Sequence, residues 1–195
     1  MRQVLIFTTA ALLMLQACKK QPVTNLPTET PETAMIYKDL QDAVVSTSHS
    51  KSIDIENDGI TDFSFGVMLL GDPILQRDRL QFFANSKVDR NLLNDDQDQS
   101  PILNKTEKIS VSYPGYTWYE ISNIVLVEKI ITNNGSYWDG LWKNASHHYL
   151  PIQIKKDKKL YNGWIELSFD TSGEKLILHK AGLSTEADKD VKAGE

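Results

Sequence analysis

The feature that most constrains the fold is a series of short segments in which apolar and polar residues alternate. Phe63 and Phe65 alternate with smaller or polar neighbours, and residues 109–113, 152–155 and 164–169 continue the pattern. Alternation with a period of two is typical of a strand with one buried face. Short strands at this spacing predict an all-β protein, an antiparallel β-sandwich of the jelly-roll-like kind.

Turn-forming sequences lie between these segments. Asn134-Gly135, Asn162-Gly163 and Ser172-Gly173 are predicted as turns because Gly and Asn tolerate the backbone angles that tight hairpins need. The run Lys155–Lys159 is predicted as a solvated hairpin tip. Residues 34–45 fit a helical stripe as well as a strand, and we favour the strand because their Asp residues are poor helix formers.

Length and charge restrict the classes of protein that fit. The 195 residues suit one domain, which we place at 35–184, followed by a polar tail at 185–195. The formal net charge of −5 argues against nucleic acid as a partner, since phosphate binding requires a cationic surface. The single cysteine excludes an internal disulfide and a thiolate cluster.

The N-terminal residues 1–17 are predicted to be a signal peptide. Arg2 precedes an apolar stretch that is shorter than the ~20 residues of a membrane-spanning helix. The sequence Leu15-Gln16-Ala17-Cys18 that follows resembles the lipobox of bacterial lipoproteins. Residues 18–34, rich in Pro and Thr, are predicted as a flexible tether.

The lipobox resemblance implies cleavage before Cys18 and acylation of this cysteine, which would attach the protein to the lipid bilayer. Lys19 differs from the aspartate that retains some lipoproteins at the inner membrane. The resemblance therefore implies a location in the bacterial cell envelope, anchored to the outer membrane on its periplasmic face or at the cell surface.

Two segments of the body carry a second resemblance. Residues 53–63, Ile-Asp-Ile-Glu-Asn-Asp-Gly-Ile-Thr-Asp-Phe, and residues 161–167, Tyr-Asn-Gly-Trp-Ile-Glu-Leu, are similar to segments of secreted or anchored bacterial β-sandwich domains of unknown activity. This resemblance implies a fold and a compartment, and no reaction.

The segment 54–62 carries the clearest candidate site. Its four carboxylates, on Asp54, Glu56, Asp58 and Asp62, have the spacing at which a Gly-containing loop can bind Ca²⁺. The alternative is a hairpin turn at Asp58-Gly59 with solvated carboxylates. The sequence leaves both interpretations open, so calcium is the one cofactor considered.

Aromatic residues near turns are the second candidate. Tyr137, Trp138 and Trp142 could stack on a sugar ring, whereas the alternative is that they pack in the core or against loops. We treat these three residues as a candidate glycan-binding site.

No catalytic constellation is recognisable in the sequence. No G-x-S-x-G segment occurs, Cys18 is assigned to the anchor, and the pair His147-His148 lacks a third ligand at metal-binding spacing. We therefore predict a non-catalytic envelope protein, a binding or structural module whose partner is a glycan or another envelope protein. The alternatives are a carbohydrate-binding module and an envelope enzyme with an unrecognised site.

The anchor leads to a direct prediction. Bacteria that express the chain with Cys18→Ala should incorporate no radioactive palmitate into it, because the acylated thiol is gone, whereas the wild-type chain should be labelled. An unlabelled wild type, or label that persists in Cys18→Ala, would contradict the lipobox interpretation.

Overall fold

The computed structural model describes residues 33–195, whose regular secondary structure is almost entirely β-strand. A single turn of 3-10 helix, Leu141–Asn144, is the one helical element within this range. In chain order the strands are β1 (Met35–Val45), β2 (Lys51–Ile53), β3 (Phe63–Asp72), β4 (Arg77–Ser86), β5 (Arg90–Asn94), β6 (Lys108–Ile109), β7 (Thr117–Glu120), β8 (Asn123–Thr132), β9 (Gly135–Asp139), β10 (His148–Lys156), β11 (Lys159–Asp170), β12 (Lys175–Ser184) and β13 (Val191–Lys192).

The strands form two main antiparallel sheets. The large sheet has the order β1-β12-β11-β10-β5-β7, the small sheet has the order β2-β3-β4-β8-β9, and β6 pairs with β13. Consecutive strands run as meanders within the sheets, β2 to β4 in one and β10 to β12 in the other. The predicted all-β antiparallel sandwich is confirmed. Among residues 33–195, no helix has the length and apolar character needed to cross a membrane.

The main core lies between the two sheets. Phe82 of β4 packs edge-on against Phe169 of β11, with ring centroids 4.9 Å apart, and Trp138 of β9 contacts the same ring at 4.9 Å. Phe82 is fully buried, as are Ile152 and Ile165 on the large sheet. Each buried aromatic or aliphatic side chain contributes about 1.5–3 kcal/mol through the hydrophobic effect. Because side chains alternate along a strand, the neighbours of these core residues point to the outer faces of the sheets.

A second, smaller cluster covers part of the outer face of the large sheet, and it corrects the predicted C-terminal tail. Val191 and Ala193 are buried at 4% and 0% exposure against Trp164 and Tyr149. The Trp164 indole N–H donates to the carbonyl of Glu195 at 3.2 Å. The polar composition of residues 185–195 conceals these contacts, so the prediction of a tail outside the domain is wrong.

The predicted turn at Asn162-Gly163 is also wrong, because both residues lie inside β11. A Cβ at Gly163 would sit 2.4 Å from the carbonyl oxygen of Gly182, so glycine is needed here for close approach of two strands. The Asn162 amide is buried, accepting from Gln153 at 2.9 Å and donating to the Lys189 carbonyl at 2.7 Å. Tertiary contacts therefore override the local turn signal.

The other turn predictions are confirmed. β8 and β9 are joined at Asn133-Asn134, β11 and β12 are joined through Ser172-Gly173, and the turn between β10 and β11 falls at Asp157-Lys158. Asp157 and Lys158 both have positive φ, at 49° and 65°, as a two-residue hairpin turn requires.

The segment 34–45 forms a strand, as favoured from its sequence, but its pairing with β12 is interrupted. Asp39 pairs with Lys180 and Ala43 pairs with Leu178, so residues 40–42 lie opposite a single residue of β12. That residue is His179. The pairing of β11 with β12 also skips His179, because Glu166 pairs with Lys180 and Leu167 pairs with Leu178. The irregular pairing on both sides of His179 positions its side chain relative to both neighbouring strands.

Candidate functional sites

The predicted anchor, Cys18, and the signal peptide and tether before residue 33 lie outside the described residues. The domain itself presents three groups of polar side chains: the Asp-rich loop 54–62, a groove on the small sheet, and a histidine-containing cluster on the large sheet.

The Asp-rich loop is shaped by its own carboxylates. Asp54 accepts the main-chain N–H groups of Asp58 at 3.2 Å and Gly59 at 2.9 Å. Asp58 accepts the N–H of Ile60 at 2.8 Å. Such side-chain to main-chain bonds are typical of Asp in tight turns. Gly59 has φ of 85°, which favours glycine at this position.

The remaining two carboxylates bind cationic side chains. Glu56 forms an ion pair with Lys156. Asp62 is 1% exposed and accepts the Arg90 Nε–H at 2.8 Å and the Ile55 N–H at 2.8 Å. Burial raises the pKa of Asp62, and the bonds from Ile55 and Arg90 oppose that rise. The four carboxylates thus have separate protein partners.

Within residues 33–195, no group of three or more His, Cys, Asp or Glu side chains is arranged to hold a metal ion. The geometry fits the turn interpretation of the loop. Calcium binding at Asp54, Glu56, Asp58 and Asp62 stays a prediction, and it would require these carboxylates to leave their present partners.

The three candidate aromatic residues have different environments. Trp142 is 1% exposed and its indole N–H donates to the carbonyl of Ser100 at 3.3 Å, so the prediction that it faces a ligand is wrong. Trp138 packs against Phe82 and Phe169 in the main core. Tyr137 is 56% exposed. The core therefore encloses the Trp142 indole, whereas Trp138 packs against the core and stays partly exposed, and Tyr137 is the most exposed of the three.

A polar groove lies on the outer face of the small sheet and encloses about 660 Å³. Gln81 of β4 and Glu128 of β8 are paired across the two strands and form its floor. Their neighbours Phe82 and Val127 face the core. The walls are the loop after β5 and the segment that follows β9. The full lining comprises Arg79, Gln81, Gln97, Asp98, Gln99, Asn123, Val125, Glu128, Asp139, Gly140, Leu141 and Lys143.

Hydrogen bonds and ion pairs organise the groove. Glu128 accepts the Gln81 amide at 2.9 Å and lies 3.6 Å from a guanidinium nitrogen of Arg79. Lys143 lies 3.6 Å from Asp139 at the wall. Three carboxylates face one guanidinium and one ammonium, together with four side-chain amides. The groove therefore offers many hydrogen-bond donors and acceptors and no excess of positive charge.

The histidine-containing cluster lies on the outer face of the large sheet. The Ser168 hydroxyl of β11 is 2.8 Å from Nε2 of His179 on β12. Nδ1 of the same ring is 2.6 Å from a carboxylate oxygen of Asp42, in the interrupted part of β1. A hydroxyl, an imidazole and a carboxylate connected in this order can carry out nucleophilic chemistry.

A second histidine covers this cluster. The His147 ring stacks on the His179 ring, with centroids 4.2 Å apart and an interplanar angle of 20°. Glu166 holds the His147 ring through a 2.8 Å contact to Nδ1, and the His147 N–H donates to the Ser168 hydroxyl at 2.8 Å. The side chain of His179 is consequently only 14% exposed.

No sequence motif marks Ser168, His179 or Asp42 as functional residues. Asp42 and His179 are 137 residues apart, and they meet because β1 pairs with β12. The only local signal is that Ser168 and His179 are polar positions on two adjacent predicted strands. Their contact could be inferred only from the strand register.

Comparison of the chain with protein-family models, with curated proteins and with solved structures finds no match.

The Asp-rich loop yields a prediction on the pH dependence of stability. Burial raises the pKa of Asp54, but main-chain N–H bonds, led by that of Gly59, outweigh it and hold the pKa below its ordinary value. Ionised Asp54 therefore stabilises the fold fully at pH values above the ordinary aspartate pKa. This stabilisation is lost as the pH falls through the lowered pKa of the folded state. Urea unfolding should show Asp54→Asn less stable than wild type at neutral pH and nearly equal to it at acidic pH.

Asp96→Asn, at an exposed loop position with the same change of charge, is the matched control and should have little effect at either pH. A difference between Asp54→Asn and wild type that does not depend on pH would contradict the role of the charged form. Repeating the neutral titration with millimolar calcium tests the calcium prediction: a rise in wild-type stability that is absent in Asp54→Asn supports it, and no rise opposes it.

Proposed function

We propose that this protein is a lipid-anchored protein of the bacterial cell envelope that binds a hydroxyl-rich ligand, a short oligosaccharide, in the polar groove of its small sheet. The observation that carries the proposal is the composition of the groove. Of its twelve lining residues, only Val125 and Leu141 have large apolar side chains.

The size and polarity of the groove support a sugar in preference to other small ligands. Its volume of about 660 Å³ lies within the range of about 300–1,000 Å³ that small-molecule sites span. Sites for apolar ligands are lined mainly by hydrophobic side chains, whereas most of the residues that line this groove are polar or charged. The excess of carboxylates disfavours phosphate-rich or other polyanionic ligands, whereas amides and carboxylates together match hydroxyl groups that donate and accept.

Tyr137 adds a surface for an apolar sugar face. It lies two residues before Asp139 on β9, so the two side chains share the face on which the groove is formed. The tyrosine is half exposed and at the edge of the sheet, next to the polar wall. An aromatic ring beside hydrogen-bonding groups is suited to a ligand that has both apolar C–H faces and hydroxyls.

The lipobox sequence supports the location of this activity. An acylated Cys18 would hold the domain at a bilayer surface, because several acyl chains bury many methylenes at ~0.8 kcal/mol each. The predicted tether would place the groove outside the headgroup region. Glycans of the envelope would then be the available ligands.

The proposal is tested with the full chain, solubilised in detergent, on a glycan array and then by calorimetry with the glycans that are retained. Asn123→Ala and Tyr137→Ala should each weaken binding by about tenfold, which corresponds to ~1.4 kcal/mol. Both side chains are exposed, so neither substitution creates a cavity in the core.

Tyr119→Ala is the matched control for Tyr137→Ala. Tyr119 is 46% exposed and lies on β7, the edge strand of the other sheet, so its loss should leave glycan binding unchanged. Absence of binding to any glycan by the folded wild type, or equal losses in all three variants, would contradict the proposal.

A further inference from the structure

The geometry points to a second activity on the opposite face of the sandwich: we infer that Ser168 and His179 form a nucleophilic site that cleaves carboxylic esters, with Asp42 as the positioning residue. This inference does not depend on the glycan-binding groove. It rests on the contacts among three side chains that lie on three adjacent strands of the large sheet.

The contacts define which nitrogen of His179 carries the proton. A carboxylate only accepts hydrogen bonds, so Nδ1, 2.6 Å from Asp42, carries the hydrogen. In the neutral ring Nε2 is then without a proton and accepts from the Ser168 hydroxyl at 2.8 Å. This is the tautomer that a general base requires to remove the proton of a serine nucleophile.

The Ser168 hydroxyl has its hydrogen directed at that base. Its oxygen already accepts the main-chain N–H of His147 at 2.8 Å, so the hydroxyl hydrogen is left to donate to His179. One further lone pair of the oxygen remains available for attack on a carbonyl carbon. Ser168 is only partly buried, so the residue is accessible from the solvent side.

The surroundings hold the imidazole in place. Strand pairing is irregular on both sides of His179, and irregular pairing re-aims a side chain. The stacked His147 ring, itself held by Glu166 at 2.8 Å, covers one face of the His179 ring. A base fixed in this way meets the geometric condition for proton transfer before any substrate arrives.

The proposed reaction proceeds in two balanced steps. Ser168 Oγ forms a bond to the ester carbonyl carbon while its proton moves to His179 Nε2, and the C–O bond to the alcohol breaks as the alcohol takes that proton. Water then attacks the acyl-serine and gives a proton to Nε2, and the bond to Oγ breaks as Oγ recovers its proton. Esters are the expected class because an alkoxide leaves more readily than an amide nitrogen, and the one proton that His179 supplies completes the departing alcohol.

The test uses a fluorophosphonate probe, which reacts with an activated serine: a phosphorus–oxygen bond forms, fluoride leaves, and the serine proton passes to the base. The detergent-solubilised full chain is incubated with the probe, and the adduct is located by peptide mass spectrometry. We expect the adduct on Ser168, no adduct in Ser168→Ala, and labelling slowed by on the order of 10²-fold or more in His179→Gln.

Ser172→Ala, a substitution of an exposed serine in the turn after β11, is the matched control and should be labelled on Ser168 like wild type. For Asp42→Asn, labelling should slow while the thermal unfolding midpoint stays near that of Ser172→Ala. The ¹⁵N signals of His179 should also lose the Nδ1–H pattern seen in wild type, which a purely structural role of Asp42 would leave unchanged.

Three results would overturn the inference. The first is folded wild type that gains no adduct at Ser168 under conditions that fully label a known serine esterase. The second is an adduct on another serine that forms equally in Ser168→Ala. The third is labelling of Ser168 at the same rate in His179→Gln as in wild type, since the base would then take no part.

Discussion

The buried ion pair between Asp62 and Arg90 connects the two sheets. Asp62 precedes β3 of the small sheet, and Arg90 begins β5 of the large sheet, with 2.8 Å between the carboxylate and Nε. Their side chains are 1% and 10% exposed, so removing one partner would leave a buried charge unpaired, at a cost of about 3–5 kcal/mol. The loop after β5 is a wall of the groove, and β4, the partner of β3, contributes its floor. The elements that this pair joins therefore adjoin both the wall and the floor of the groove.

The apolar core separates two polar faces that can act independently. Phe82 and Phe169 meet between the sheets, so the positions next to them point outward in opposite directions. Gln81 beside Phe82 lies in the groove, whereas Ser168 beside Phe169 contacts His179. Large apolar side chains thus pack between the sheets, and polar side chains occupy the two outer faces. This division explains why the tryptophans of the candidate glycan site are found in or against the core, and why we propose the polar groove next to them as the binding site.

The sequence predicts the strands well because a two-residue period reports directly on burial, as at Phe63 and Phe65. It predicts poorly what depends on distant contacts. Gly163 resembles a turn residue but lies in β11, because the backbone of Gly182 approaches it closely. Residues 185–195 are polar in composition and yet cover Trp164. The contact of Asp42 with His179 spans 137 positions and exists only in one strand register, which alternation alone does not determine.

A double-mutant cycle measures whether the Asp62–Arg90 pair couples the two sheets. Urea unfolding of wild type, Asp62→Asn, Arg90→Met and the double variant gives the coupling free energy. We expect each single variant to be strongly destabilised and the double variant to lose less stability than the sum of the two single losses, with a coupling free energy of roughly 1–3 kcal/mol. If the two single-variant losses in unfolding free energy sum to the double-variant loss within ~0.5 kcal/mol, this coupling is contradicted. The two side chains would then stabilise the sandwich independently.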